Sequence, residues 1–522
     1  MILNATYSPS TLSSALAQKA RTLRDHVEQE ILREKGATRH RKVGQSLLHL
    51  FEHQHRELSR FADGYAQTVC YGLLAARWMS LGSARPFTVE NIPWLLPSTS
   101  GVLKGFFLRL FALPSPSRVR TCLVDIASFV SDLDLSVIFS DATDDPIIHF
   151  YEDFLDVYEK SLKKERGVYY TPDAVVDFMI RAVDERLRGD FGLPLGLASV
   201  QRWDVVSRRL QIPIPEGVKE GDVFVRILDP ATGTGTYLKG VVTHIRTTLR
   251  HHWRSLGYTS EEIRLEWCAY LRGEQGQMAD YRGQGLLSRL FGFEVMMAPY
   301  VIAHLRLGLL LQNDPEMPFV FNEQERWGIF LTNALSRFQD AGTHEDFVSQ
   351  ESSAAESVKA KTPITVMVGN PPYSGESGNN GADIMRLMED YKKEPGGRQR
   401  LLERNPKWVN NDYVKFFRFA QSYTERFNAG ICAFINPHGF LDNPTFRGVR
   451  WSLWNGYSQL YILDLHGNLR KKERAADGSK DENIFAIQEG VSINVFLKNR
   501  LQNGLGSVYH HDLLGLSGHK LQ

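Results

Sequence analysis

Asn370, Pro371, Pro372 and Tyr373 form the segment of this 522-residue chain whose residue types indicate chemistry most directly. Proline fixes the backbone φ angle and has no N–H group, so the carbonyl oxygens at this corner are left as acceptors. The side-chain oxygen of Asn370 and the carbonyl of Pro371 could each accept a hydrogen from one amino group, whose nitrogen could then attack an activated methyl group. The ring of Tyr373 could stack on a base that carries this amino group, an interaction worth roughly 1–3 kcal/mol. Taken alone, the four residues could also be a turn that ends a strand.

The elements on either side must position these groups. Residues 364–368 are apolar and mostly β-branched, which predicts a buried strand just before Asn370. Earlier in the chain, residues 223–228 predict a second buried strand and residues 237–249 a helix. The loop between them contains glycines, so its backbone could approach a ligand closely, and the helix start offers unpaired N–H groups. The candidate binding residues of this loop are Asp229, Thr232, Gly233 and Gly235.

Glu294 follows the next predicted strand, residues 290–293, and is a candidate to bind ribose hydroxyls. In a simple dinucleotide-binding fold, such an acid lies about 20 residues after the glycine loop. The separation from Asp229 is much larger here, so an inserted helical segment, residues 260–284, must loop out between them. Glu294 could instead be an ordinary solvated carboxylate at a strand end.

With these motifs in this order, the chain resembles the adenine-N6 DNA methyltransferases of restriction-modification and phage-defence systems. Within that group it is most similar to the methyltransferase module of type ISP and type IIG enzymes, over about residues 140–520. Tyr170, Thr171 and Pro172 match the group's first cofactor motif, which precedes the glycine loop and folds over the methionine end of the cofactor. The same residues could be a helix start, with Thr171 as N-cap and Pro172 in the first helical position.

The resemblance implies S-adenosyl-L-methionine as cofactor and a target adenine that is rotated out of double-stranded DNA. The glycine loop would then surround the methionine part, Glu294 would bind the ribose, and Asn333 would contact the adenine of the cofactor. Asn370 would orient the target amine, and Phe485 would form the second face of an aromatic sandwich with Tyr373. From the sequence, Phe485 could as well be a core phenylalanine.

The fold that the resemblance implies is an α/β, Rossmann-like S-adenosylmethionine-dependent methyltransferase sheet with helices on both faces and a C-terminal antiparallel hairpin. Apolar residues at helical spacing predict a preceding all-α domain over residues 1–164. The catalytic domain is expected over residues 165–510, and a short tail over residues 511–522. None of these three segments is expected to be a target-recognition domain, so we expect a partner subunit or a missing C-terminal domain to read the DNA sequence.

The segments around the catalytic motif carry two further expectations. Residues 339–361 are polar and predict a surface loop, and residues 374–381 could close over an extruded base. We find neither a nucleotide-binding Gly-x-x-x-x-Gly-Lys loop nor a convincing nuclease cluster, so a helicase or a nuclease would be a separate partner.

Composition constrains the environment of the protein. The net charge of +1 and a hydrophobic content of 43% fit a soluble, bacterial cytoplasmic protein, which the resemblance would associate with the nucleoid and not with a membrane. The cysteines show no pair spacing, which fits reduced thiols and gives no zinc signature, so no metal site is predicted. They are Cys70, Cys122, Cys268 and Cys432.

Two other functions remain open from the sequence. Glutamine-N5 methyltransferases that act on release factors also end a strand with Asn-Pro-Pro-Tyr and have a helical N-terminal domain, although they are much smaller. A non-catalytic subunit that binds cofactor or DNA within a defence complex is the other alternative. The intact segment from Asn370 to Tyr373 favours catalysis over this last function.

Overall fold

A computed structural model describes most of the chain. The described residues are 7–36, 58–81, 84–96, 101–111, 117–139, 150, 153–155, 157–158, 171–322, 325–336, 347–373, 375, 377–402, 406–471, 473–475, 477–501 and 504–522. The predicted boundary between residues 164 and 165 lies outside these ranges.

The described N-terminal elements are all helices, as the apolar spacing predicts. In α5, for example, Leu123, Ile126, Ala127 and Val130 are buried at intervals of one to three residues, and Ser117 caps the first turn by accepting from the Arg120 N–H. The helices are α1 (Pro9–Gly36), α2 (Leu58–Ser80), α3 (Ile92–Leu95), α4 (Gly101–Phe111), α5 (Arg118–Ser131) and α6 (Leu135–Ile138).

The rest of the described chain is built on one sheet of eight strands, in the order β3-β2-β1-β4-β5-β7-β6-β8. Strands β1 to β5 are parallel, β7 lies antiparallel between β5 and β6, and β8 is parallel to β6. The predicted Rossmann-like sheet with an antiparallel β6–β7 hairpin is therefore confirmed. The strands are β1 (Ile227–Asp229), β2 (Leu290–Glu294), β3 (Gly328–Leu331), β4 (Val366–Gly369), β5 (Gly430–Pro437), β6 (Gln459–Asp464), β7 (Val491–Lys498) and β8 (Ser507–Asp512).

Helices connect these strands, as expected for a parallel sheet whose central strands are fully buried. They are α7 (Asp173–Gly189), α8 (Trp203–Leu210), α9 (Thr236–Ser255), α10 (Ser260–Arg272), α11 (Met297–Gln312), α12 (Phe347–Lys361), α13 (Ala382–Met388), α14 (Asp412–Phe427), α15 (Arg447–Gly456) and α16 (Ser517–Lys520). No helix within the described ranges is both long and apolar enough to cross a bilayer.

The inserted segment at 260–284 is helical only in its first half. Helix α10 begins at a capping box between Thr259 and Glu262 and ends at Gly273, whose φ of +76° is left-handed. Beyond it the backbone turns around the buried carboxylate of Glu266, which accepts from the N–H groups of Gln277 and Ala279 at 2.9 and 3.1 Å. These bonds hold a turn in the second half of the segment, where the sequence predicts a helix.

The prediction of a surface loop over residues 339–361 is wrong for its second part, which forms helix α12 (Phe347–Lys361). The helix is held by Lys359, whose ammonium group donates to Thr332 Oγ1 and to the carbonyls of Asn333 and Ser336 at 2.8 to 2.9 Å. The polar helix α12 therefore packs against the segment after β3 through the buried ammonium group of Lys359. At the other end of the chain, β8 continues to Asp512, past the predicted end of the catalytic domain at residue 510.

Helix α11 joins the helical region to the sheet. It is mostly apolar and is buried along nearly its whole length, with the sheet on one side and α2 on the other. Tyr71 and Trp78 of α2 line a small cavity together with Val301 and Leu305 of α11. Since α11 also contacts the glycine loop, the helical region supports the candidate site indirectly.

Candidate active site

The predicted site residues meet at the carboxyl ends of the parallel strands. Asp229 ends β1, Glu294 ends β2, and Asn370 directly follows β4, which pairs with β1. A Cβ atom placed on Gly369 would lie 2.7 Å from Asp229 Oδ1, so the two strand ends are in close contact. The candidate catalytic corner, Asn370 to Tyr373, and the glycine loop, Asp229 to Gly235, are thus neighbours, although Asp229 and Asn370 are 141 positions apart in the chain.

The glycine loop is fastened to the end of β2. The Gly233 N–H donates to Glu294 Oε2 at 2.8 Å, and the Met296 N–H donates to Glu294 Oε1 at 2.7 Å. Gly235, at φ +81°, begins helix α9 so close to α11 that a Cβ atom would lie 3.2 Å from Ala303 Cβ. Glu294 is 6% exposed and therefore is not the solvated strand-end carboxylate of the alternative interpretation.

Asp229 is fully buried, and its carboxylate is only partly satisfied. Oδ1 accepts from the Ala231 N–H at 3.1 Å, whereas Oδ2 has no hydrogen-bond partner within the described part of the chain. Burial raises the pKa of Asp229 to about 8, and the nearby charge of Glu294 adds to this effect. A buried acceptor without a partner is costly, so this atom is suited to a donor supplied by a ligand.

Thr232 fixes the turn between β1 and α9. Its hydroxyl donates to the Asp229 carbonyl at 3.0 Å, and its N–H donates to the Phe293 carbonyl in β2. A Cβ atom on Gly233 would have no neighbour within 4 Å among the described residues, so open space lies beside this residue. The loop therefore offers a rigid backbone next to a space that a ligand could occupy.

Asn370 is held from two sides. Its Nδ2 donates to Thr171 Oγ1 at 3.0 Å, and its Oδ1 accepts from the Tyr373 hydroxyl at 2.6 Å. The same hydroxyl lies 3.3 Å from the Ile435 carbonyl in β5. The amide is thus oriented with its nitrogen toward Thr171 and its oxygen toward Tyr373. Pro371 is buried, while Pro372 and Tyr373 are partly exposed.

Thr171 does not cap a helix, as the alternative interpretation would require. The N-cap of α7 is Pro172, with no side-chain capping bond, and the buried hydroxyl of Thr171 instead accepts from Asn370. Tyr170, the third predicted residue of this motif, lies outside the described residues.

Asn333 follows β3, and its side chain contacts the loop after the catalytic corner. Its Nδ2 donates to Asn379 Oδ1 at 2.7 Å, and Asn379 in turn donates to Asp412 Oδ1 at 2.9 Å. Lys415 also holds this loop, since its ammonium group donates to Ser377 Oγ at 2.7 Å. The contact of Asn333 with the adenine of a cofactor stays a prediction.

Phe485 lies just before β7 and is 7% exposed. Its N–H donates to Asn483 Oδ1 at 2.8 Å, and Asn483 Nδ2 donates to the Glu489 carbonyl at 2.7 Å, so the segment is tightly folded. This burial is what the alternative of a core phenylalanine predicts. Stacking of Phe485 on a base therefore stays a prediction that requires the segment to open.

Sequence reasoning missed a group of buried polar side chains beside Tyr373. Asn494 Nδ2 donates to Asn436 Oδ1 at 2.9 Å and lies 3.0 Å from Ser492 Oγ. Asn436 pairs with Ser492 in the β5–β7 ladder, while Asn494 pairs with Phe434. Asn436 directly follows Ile435, whose carbonyl the Tyr373 hydroxyl contacts. The available signal was the pair Asn436-Pro437 at the end of a buried strand, which repeats the Asn-Pro pattern at Asn370.

No protein-family model matches the chain, and no curated protein matches it. Solved structures do. The ATP-dependent Type ISP restriction-modification enzyme LlaBIII bound to DNA matches 98% of this chain with a TM-score of 0.67 and 19% sequence identity. The chain shares its fold, built on the Rossmann-like sheet, with part of this enzyme. The DrdV–DNA complex matches 98% of the chain at a TM-score of 0.65 and 19% identity. A nuclease-deletion mutant of the Type ISP restriction-modification enzyme LlaGI, in complex with a DNA substrate mimic, matches 99% at 0.64 and 18%.

These matches confirm, at the level of the fold, the resemblance inferred from the sequence motifs. The match includes the helical region, because nearly the whole chain is covered. The chain spans only 31%, 43% and 37% of the lengths of the three proteins. The fold that this chain shares with them is thus one part of a larger protein in each of these structures.

Proposed function

We propose that this protein transfers a methyl group from S-adenosyl-L-methionine to N6 of an adenine flipped out of double-stranded DNA, within a restriction-modification or phage-defence system. The observation that carries the proposal is that Asn370 directly follows Gly369, which lies against the Asp229 carboxylate at the start of the glycine loop. An amine held at Asn370 would therefore lie next to the space in which a cofactor could bind.

The residues around that space fit S-adenosyl-L-methionine. Asp229 Oδ2, which has no hydrogen-bond partner among the described residues, would accept from the ammonium group of the methionine part, and the open side of Gly233 would admit it. Glu294, already held by two backbone N–H groups, would accept from the ribose hydroxyls. The cofactor supplies an activated methyl group, so the protein needs chiefly to position the acceptor.

The catalytic corner would position the target amine without a general base. Asn370 Oδ1 and the Pro371 carbonyl would accept the two amine hydrogens, which directs the nitrogen lone pair toward the glycine loop. The hydroxyl of Tyr373 supports Asn370 Oδ1, and the ring of Tyr373 would lie against the base. The amine becomes acidic only after it has accepted the methyl group, when its proton can leave to solvent.

Methyl transfer from tritium-labelled cofactor tests the proposal, with duplex DNA and a release factor offered as separate substrates. We expect labelled N6-methyladenine in DNA, loss of transfer in Asn370→Ala by at least about a hundredfold, and little change in cofactor affinity. Asn313→Ala, at an exposed position after α11, is the control and should be fully active. Label in a release-factor glutamine would establish the alternative function, and cofactor or DNA binding without transfer would establish a non-catalytic subunit.

The partners belong to the same proposal. The DNA-bound structures that share the fold contain much more chain than this one, which supports recognition of a DNA sequence through a partner subunit or an additional domain. Helicase or nuclease partners would follow from the same comparison, since LlaBIII is described as ATP-dependent and LlaGI as carrying a nuclease.

A further inference from the structure

A second cluster of polar side chains lies on the same edge of the sheet as Asn370, beyond β5. Strands β5, β6 and β8 run in the same direction, so their carboxyl ends point to this edge. His438 directly follows β5, Asp464 ends β6, His466 lies two residues beyond β6, and Asp512 ends β8. One spacing of about 4.8 Å separates β4 from β5, and three such spacings separate β4 from β6. His438 is therefore the member nearest to the catalytic corner, and Asp464 lies roughly 14 Å from it across the sheet.

The side chains in this cluster are close enough to share one ion. His438, Asp464 and His466 each offer a ligand atom, and these atoms lie within 4.8 Å of one another. His438 Nδ1 is 2.9 Å from Asp464 Oδ1, and His466 Nε2 is 3.8 Å from Asp464 Oδ2 and 2.8 Å from Asp512 Oδ1. Ligands held at about 2.0–2.2 Å from a tetrahedral ion are roughly 3.3–3.6 Å apart. The spacings among His438, Asp464 and His466 are near this range, and Asp512 would become the fourth ligand by exchanging its bond to His466 for a bond to the ion.

The charge and burial of the cluster also suit a cation. Glu473 Oε1 lies 3.4 Å from His466 Nδ1, which brings a third carboxylate to this imidazole. Lys471, from the same segment, bonds to Asp442 at 2.7 Å and not to the cluster. The side chains of His438 and Asp464 are 5% and 10% exposed, so water screens their charges little.

We propose that His438, Asp464, His466 and Asp512 bind a divalent first-row transition-metal ion such as Zn²⁺. Two imidazoles with two carboxylates suit this class of ion, whereas Mg²⁺ and Ca²⁺ prefer oxygen ligands throughout. Binding exchanges the hydrogen bonds among these side chains for bonds to the ion, and the imidazoles bind in their neutral form.

The ion would join three strand ends to the segment 465–490 between β6 and β7. His466 has a left-handed φ of +51° and is followed by Gly467 at +81°, so the chain reverses sharply at the ligand. The same segment carries Phe485, and its residues Arg470 and Lys471 are basic. A metal at its base would hold this segment against the sheet whether or not the protein transfers methyl groups.

Cobalt and zinc titrations of the full chain, after treatment with EDTA and removal of the chelator, test the site. We expect one equivalent of Co²⁺ to bind with visible d–d absorption, Zn²⁺ to displace it, and Zn²⁺ to raise the melting temperature of the protein. His466→Ala and Asp512→Asn should weaken Co²⁺ binding by about tenfold or more. The second of these changes a side chain that is 53% exposed, so the fold should tolerate it.

His251→Ala is the matched control, because His251 is exposed on α9, and this variant should bind as the unmodified protein does. Absence of stoichiometric Co²⁺ binding to the unmodified chain would overturn the proposal, as would unchanged binding by Asp512→Asn and His466→Ala. Asp464 and Asp512 also lie near His510, in a more exposed group. Loss of binding in His510→Ala but not in His438→Ala would place the ion there and refute the ligand set proposed.

Discussion

The side-chain amide of Asn370 donates to the hydroxyl of Thr171 across 3.0 Å and joins two segments that are 199 residues apart in the chain. Because the amide nitrogen is used in this bond, the amide oxygen is turned to the side on which Tyr373 lies. A threonine before α7 therefore determines which end of the Asn370 amide could meet a substrate amine.

Thr171→Val should lower the rate of methyl transfer by roughly 5- to 100-fold, the range expected for loss of one hydrogen bond to a buried group. The valine keeps the shape of the threonine but cannot accept from Asn370 Nδ2, so the amide can rotate. Thr171→Ser retains the hydroxyl and should restore most of the rate. Steady-state kinetics would show the effect in kcat. A change confined to KM for the cofactor would show instead that Thr171 acts only in binding.

Tyr373→Phe and Tyr373→Ala should separate the two roles of this side chain. The phenylalanine keeps the ring and loses the 2.6 Å bond to Asn370, so kcat should fall while DNA affinity is retained. The alanine also loses the stacking surface, which should weaken binding of an unpaired base by roughly 1–3 kcal/mol. Fluorescence of 2-aminopurine at the target position measures the extruded base. Equal affinity of the two variants for DNA would argue against stacking by Tyr373.

The stability of the cofactor-free protein should fall as pH rises from about 4 to about 8 through the ionisation of Asp229. Burial raises the pKa of this carboxyl from 3.8 to about 8, so in this range the folded protein keeps a proton that the unfolded chain has lost. Asp229→Asn cannot ionise and should show a flatter dependence of its unfolding free energy on pH. Urea unfolding across this range measures the difference, and parallel curves for the two proteins would contradict the prediction.

Cofactor binding should show the opposite pH dependence. A cationic amino group favours the ionised form of Asp229, so the affinity of the unmodified protein for S-adenosyl-L-methionine should increase as pH rises toward about 8. In Asp229→Asn the affinity should be lower and nearly independent of pH over the same range. Calorimetric titration gives both curves. An affinity that decreases as Asp229 ionises would rule out an ammonium group at this carboxylate.

Gly235→Ala should destabilise the protein more than Gly257→Ala does. Both glycines have a left-handed φ, +81° and +87°, so each substitution carries a backbone cost of about 1–2 kcal/mol. Gly235 also faces Ala303 Cβ at 3.2 Å, whereas a Cβ atom at Gly257 meets no described atom within 4 Å. Because the backbone strain is similar in the two variants, the difference between their thermal unfolding measures the effect of the contact with Ala303. Equal losses would mean that α9 and α11 can move apart without cost.

Much of the architecture could be predicted from the sequence, because its determinants are local. Buried strands, a glycine turn and a helix start each depend on residues that are close together in the chain, and the order of these motifs follows directly from the sequence. The strand before Asn370 and the left-handed turn at Gly235 are examples. Local signals failed where distant contacts decide the outcome. Helix α12 forms although its residues are polar, since Lys359 reaches the carbonyls that follow β3 and Glu351 accepts from Arg326.

The composition of the site was readable from the sequence, but its assembly was not. The types of Asp229, Glu294 and Asn370 already indicated a cofactor and an amine. Only the strand order β2-β1-β4 brings them to one place, and only the folded chain turns Thr171 toward Asn370 and leaves Asp229 Oδ2 without a partner in the part that the structure describes. The cluster at His438, Asp464 and Asp512 has no sequence spacing that could have revealed it, because three different strands supply its members. Pairings between distant segments depend on the free energy of the whole packed sheet, which no short stretch of sequence contains.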